Sequence, residues 1–138
     1  MDLLDRLSTL NLPGGAQIRS PYGGELDYFR KNPNVAGMAT EDNKVILNQL
    51  SGLDYEQLKA VAMNEAFRLW MKNHNFQSSM NVTNEQKNAF ANTPYANNDL
   101  ALQQTILARI LSGDPSALNA TQEQNTIAGM LSNAIGQR

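Results

Sequence analysis

Between Asp54 and Asn73, apolar side chains cover well over half of a helix circumference, and no other segment narrows the fold as much. At about 100° per residue, Leu58, Leu69, Ala62, Tyr55, Ala66, Trp70, Met63, Phe67 and Met71 leave one polar stripe of Gln57, Asn64, Glu65, Arg68 and Lys72. A helix this apolar must be covered from more than one side, which makes it the central helix of a small core. Within the stripe, Glu65 and Arg68 stand at the i, i+3 spacing that lets them pair across one turn.

The rest of the chain reads as cover for that helix. Leu3, Leu4, Leu7 and Leu10 fall at helical spacing over residues 2–10, and Pro13-Gly14-Gly15 ends the pattern. A brief helical turn runs through Leu26 and Phe29 to Lys31, ahead of Pro33. Val35 to Thr40 and Lys44 to Asn48 flank Glu41-Asp42-Asn43, which predicts a small β-hairpin with Val45 and Ile46 in its return strand. Thr83 with Gln86 and Thr121 with Gln124 have the spacing of capping boxes and mark two helix starts. Between them a helix over about 98–112 carries Leu100, Leu102, Ile106, Leu107, Ala108, Ile110 and Leu111, and Gly113-Asp114-Pro115 ends it. The last helix, about 122–135, places Ile127, Met130, Leu131, Ala134 and Ile135 on one face. No internal repeat stands out, and no linker divides the chain.

Composition narrows the partners. The 138 residues suit one domain that buries roughly two-thirds of its unfolded surface. Charged residues are only 17 %, while Asn fills roughly one position in eight, so amides stand where charges usually do. Such a surface packs against other proteins at little cost in ion desolvation. A net charge of −2 offers no excess cation for a phosphate backbone, which argues against direct sequence-specific nucleic acid binding. No apolar run reaches membrane-spanning length, and the acidic start is unlike a secretory signal. The Asn-x-Thr triplets at Asn81 and Asn119 would matter only in a eukaryotic secretory pathway.

Chemistry finds little to use. The absence of cysteine removes disulfides, thiolate nucleophiles and thiolate metal ligands. His74 is the single histidine, so a zinc site would need at least two carboxylates; its place at a helix end suits it to the exposed carbonyls there. No serine sits in a Gly-x-Ser-x-Gly elbow. Glu25, Asp27, Glu41, Asp42 and Glu65 are the available carboxylates, without the spacing signature of an acid and base pair. Glu65 borders Leu58 and Leu69, so desolvation would raise its pKa, whereas pairing with Arg68 on a solvated face would make it ordinary. Gly14-Gly15 and Gly23-Gly24 read as turns rather than phosphate loops.

The stretch Tyr28-Phe29-Arg30-Lys31-Asn32-Pro33-Asn34-Val35-Ala36-Gly37-Met38-Ala39-Thr40-Glu41-Asp42-Asn43-Lys44-Val45-Ile46-Leu47-Asn48 resembles one found in small, poorly characterised tailed-bacteriophage proteins. Asn64-Glu65-Ala66-Phe67-Arg68-Leu69 and Ser112-Gly113-Asp114-Pro115-Ser116-Ala117 resemble them too, and the likeness spans about two-thirds of the chain. The resemblance implies a phage context and supplies no catalytic residue. In order of elements, a hairpin ending in Val45-Ile46-Leu47 and then Asn64-Glu65-Ala66-Phe67-Arg68 is similar to zinc peptidases, whose helix carries His-Glu-x-x-His. Asn64 and Arg68 stand at the two ligand positions here, and neither replaces a neutral imidazole.

The expectation is therefore a mainly α fold, a small helical domain over 1–138 with one short β-hairpin before the central helix and amphipathic terminal helices at about 2–10 and 122–135. The expected function is that of a bacteriophage structural or virion-associated protein, a head, neck or tail component assembled in the host cytoplasm. It is not an enzyme, takes no cofactor or metal, and binds other virion proteins and itself as a homo-oligomer. Leu3, Leu4, Leu7 and Leu10 at one end, with Ile127, Met130, Leu131 and Ile135 at the other, are the expected interaction residues. Two other classes stay open: an inactive zinc-peptidase-like or cell-wall-directed enzyme relative with Glu65 as its acid, and a small cytoplasmic inhibitor of a host protein.

Overall fold

The computed structural model describes residues 3–77, 80–93, 95–113 and 119–136. Among these residues the fold is mainly α, with six α-helices and one three-stranded sheet. Contacts gather the chain into two compact units, Met1–Leu69 and Trp70–Arg138, and the boundary falls inside the long helix.

The first unit runs α1 (Leu3–Ser8), β1 (Gln17–Arg19), α2 (Gly24–Lys31), β2 (Gly37–Ala39), β3 (Lys44–Leu47) and the start of α3 (Tyr55–Asn73). The expected hairpin is present: β2 and β3 pair antiparallel with Met38 opposite Ile46. A strand not foreseen in the sequence, β1, adds parallel to the other edge of β3 with Ile18 opposite Val45. Three residues are too few for alternation to show, so β1 carried no usable signal. With a neighbour on either side, β3 is the central strand, and Val45, Ile46 and Leu47 are all fully buried, as an uninterrupted apolar run demands of a strand covered on both faces.

The hairpin turns on Asn43, whose φ of 62° is a left-handed conformation that Asn tolerates better than most residues. Its side-chain amide donates to the Gly14 carbonyl at 3.1 Å, and its own carbonyl accepts from Gln17 N at 3.2 Å. The turn is thereby tied to the segment leading into β1. After β3 the chain is held by Asn48, which is buried: its Nδ2 donates to the Val35 carbonyl at 2.8 Å, its N to the Ala36 carbonyl at 2.9 Å, and its Oδ1 accepts from Leu50 N at 2.9 Å.

The helix α3 starts with a capping box, in which Asp54 Oδ1 accepts from Gln57 N at 2.9 Å and Gln57 Oε1 accepts from Asp54 N at 3.0 Å. Leu58, Ala62, Ala66 and Leu69 then point into one core with Leu7, Leu12, Ala16, Val45 and Leu47. Small residues in that stripe let the sheet come close. Gly37 on β2 sits so near that an added Cβ would lie 2.9 Å from Val61 Cγ1 and 3.1 Å from the Ile46 carbonyl oxygen.

The second unit contains the end of α3, then α4 (Asn84–Ala89), α5 (Asp99–Leu111) and α6 (Gln122–Gly136). Asn98 caps α5 by accepting from Ala101 N at 3.0 Å. Leu102, Ile106, Leu107 and Ala108 of α5 and Ala128, Leu131 and Ile135 of α6 are buried, and the two helices pack on each other. Gly113, at φ 73°, follows the end of α5 as expected; Asp114 and Pro115 lie outside the described residues.

Because the space beyond Gly37 is filled by a β-branched side chain and a backbone carbonyl, Gly37→Ala should destabilise the fold by about 1–3 kcal/mol. Chemical denaturation measures this, and a Gly37→Ala protein as stable as the parent would contradict the close packing of β2.

Candidate interaction site

The residues expected to form sticky ends are mostly spent inside the chain's own units. Leu7 is fully buried, Leu3 and Leu10 pack on the first unit's core, and Leu4 is half-buried. Leu131 and Ile135 are buried and Ile127 is half-buried, so Met130, 67 % exposed, is the one residue of the eight left open. The reason is physical: a helix of six residues such as α1 does not persist alone and takes its stability from the core it docks on.

The side chain best presented to a partner is one the sequence did not mark. Arg19 at the end of β1 and Glu25 in the first turn of α2 make a two-pronged ion pair, both contacts 2.7 Å. The Arg19 guanidinium also lies 4.5 Å from the centre of the Tyr22 ring, and Glu25 Oε1 accepts from Tyr22 N at 3.3 Å. Tyr22 is thus held from its ring and its backbone while 67 % of it remains exposed. Tyr28 and Leu50 of the same unit are exposed as well, at 45 % and 55 %. A fixed, exposed aromatic ring loses little entropy on association, which is why Tyr and Arg recur at the energetic centres of interfaces. The corner was hidden in the sequence because its three members come from a strand, a loop and a helix.

Glu65 proves both largely shielded from solvent and paired. Arg68 Nη1 stands 3.2 Å from Glu65 Oε1, and burial pushes the Glu65 carboxyl above its ordinary range against the opposing pull of Arg68. The solvated-face reading of this pair is therefore corrected, since its side chains are only 15 % and 24 % exposed. Among the described residues, no group of three or more His, Asp or Glu could hold a metal ion. His74 takes the helix-end role expected of it, with Nδ1 2.9 Å from the Trp70 carbonyl and its ring stacked on the indole at 4.1 Å.

In the second unit the helix starts of α4 and α6 meet. Gln86 Nε2 donates to Gln124 Oε1 and Gln124 Nε2 donates to Gln86 Oε1, each at 2.7 Å, with both residues buried. Each glutamine also closes its own capping box, with Thr83 and Thr121 respectively. Beside this clasp lies a cavity of about 120 Å³, where the Arg109 guanidinium sits 4.8 Å above the Phe90 ring.

Comparison of the chain with family models, with curated proteins and with solved structures gave no match. Among the described residues, no helix is long and apolar enough to cross a membrane.

Two outcomes test this geometry. Gln86→Leu or Gln124→Leu leaves the other amide buried without its partner and should cost about 1–3 kcal/mol, while the double variant should cost clearly less than the sum; additive losses in a denaturation cycle would show that the amides act separately. The Arg19 hydrogen bonds hold the Glu25 carboxyl below its ordinary range. Because its folded pKa is the lower one, the pair contributes fully above the ordinary value of about 4.3 and is lost only as pH falls through the folded value. NMR titration should therefore show the Tyr22 ring released only below the range where exposed glutamates titrate; release at or above that range would contradict the ion pair.

Proposed function

We propose that this chain is a bacteriophage structural or virion-associated protein, a component of head, neck or tail, that acts through contacts with neighbouring virion proteins and with its own copies. The observation that carries this reading is Tyr22, two-thirds exposed yet held by Arg19 and by the Glu25 carboxylate. Exposed aromatic surface costs solubility unless a partner covers it, and a ring already held in place is the form an interface anchor takes.

The phage setting is supported by the resemblance carried in Tyr28 to Asn48, in Asn64 to Leu69 and in the Ser112-Gly113 turn, the rest of that last stretch lying outside the described residues. Two of these stretches have structural work to do. The first contains the close-packed Gly37, the turn residue Asn43 and the buried hub Asn48; the second contributes the buried Ala66, Phe67 and Leu69 of α3. Glu65, whose carboxyl burial raises, is engaged with Arg68, which favours a binding module over a hydrolase. Virion localisation, with assembly in the host cytoplasm, follows from the same reading.

Mass spectrometry of purified particles should find the chain at stoichiometric abundance. Tyr22→Ala should keep the fold and weaken incorporation by roughly 10–30-fold, as truncation of an interface anchor does. Absence of the chain from the virion, or full incorporation of a folded Tyr22→Ala protein, would overturn the reading.

A further inference from the structure

The clasp between α4 and α6 is built from one hexapeptide used twice. Asn81-Val82-Thr83-Asn84-Glu85-Gln86 and Asn119-Ala120-Thr121-Gln122-Glu123-Gln124 share the pattern Asn-x-Thr-x-Glu-Gln. Two capping boxes were visible in the sequence, but the repeat they belong to was not, because only four positions of each six-residue copy agree.

The two copies face each other with near two-fold reciprocity. Each threonine hydroxyl caps its own glutamine N–H, at 3.0 Å and 3.1 Å. Each glutamine carbonyl accepts from its own threonine N–H and from the opposite glutamine. The glutamine amides continue to the opposite asparagine carbonyls: Gln124 Nε2 to Asn81 O at 3.0 Å, and Gln86 Nε2 to Asn119 O at 3.5 Å. Each glutamate accepts from the opposite asparagine at 2.9 Å, Glu85 from Asn119 Nδ2 and Glu123 from Asn81 N. All the bonds that cross the clasp join residues 81–86 to residues 119–124.

Pairing residues 119–124 of one chain with residues 81–86 of another would need no contact that the closed chain does not already make, which is the condition for low-cost exchange of an element between identical chains. Here the partner motif is carried on α6, joined to α5 through residues 112–121. We propose that two copies of this chain exchange α6, so that the hexapeptide 119–124 of one chain closes on the hexapeptide 81–86 of the other. The inter-chain clasp makes the same hydrogen bonds as the intra-chain one, and the α5 and α6 faces that pack together are the same as well. The balance between closed and exchanged forms is then set by chain concentration, which rises steeply when copies gather in one assembly. This deepens the self-association in the proposed function and rests on that reading, while its test is independent of particles and of Tyr22.

The chain lacks cysteine, so introduced thiols report without background. The parent protein is refolded at high and at low concentration and weighed by light scattering. In parallel, a Glu85→Cys chain and an Asn119→Cys chain are refolded together and treated with a short bis-maleimide, with the double variant Glu85→Cys/Asn119→Cys as control. Exchange predicts a mass of twice 15.2 kDa at high concentration and cross-linking between the two single variants. A mass of 15.2 kDa at every concentration overturns the proposal. So does a doubled mass in which the single variants stay unlinked while the double variant links within one chain, because the copies then associate side by side.

Discussion

Burial of the apolar stripe of α3 is the constraint to which the other elements answer. In the first unit, Leu58, Ala62, Ala66 and Leu69 form a surface that only a closely applied layer can cover, since two of the four positions are alanine. The sheet provides that layer because Gly37 has no side chain to hold it off and because β3 buries Val45 and Leu47 against the same core. The remaining turn of α3, from Trp70 onward, belongs to the second unit and buries Met71. Each unit therefore takes a different length of one helix as its starting point.

The chain's high asparagine and glutamine content finds part of its explanation in the interior. The buried polar residues among those described are Asn48, Gln86, Thr105 and Gln124, all neutral. A neutral amide both donates and accepts, so it can join backbone groups from several segments without the desolvation cost of a charge. Asn48 does this for the chain around Val35, Ala36 and Leu50, and the glutamine pair does it for two helix starts. Reading the amides purely as a weakly charged surface was thus incomplete.

The same division separates local from distant partnerships at the candidate site. Glu65 and Arg68 lie one turn apart, so their pairing could be read directly, but the burial that raises the Glu65 carboxyl comes from elsewhere in the fold. The expected interaction residues illustrate the converse. Helical spacing correctly gave Leu7, Leu131 and Ile135 an apolar face, yet spacing does not say whether that face meets the chain's own core or another protein. Tyr22, by contrast, has no periodic neighbours at all, and its role rests on Arg19 and Glu25 arriving from either side.

What the amino-acid order determined by itself is whatever closes within a few residues: the helical stripe of 55–73, the capping boxes at Thr83 and Thr121, and the hairpin turn before Lys44. Such features need only the spacing of neighbours and the chemistry of a single turn. The tertiary structure alone decided that β1 joins β3, that the terminal leucines face inward, that Tyr22 is braced, and that two matching hexapeptides close on each other. Most of those contacts join residues far apart in the chain, and the Tyr22 corner, although it spans only residues 19–25, joins a strand, a loop and a helix; no local periodicity records such partners, and only burial and hydrogen-bond satisfaction in the folded state select them.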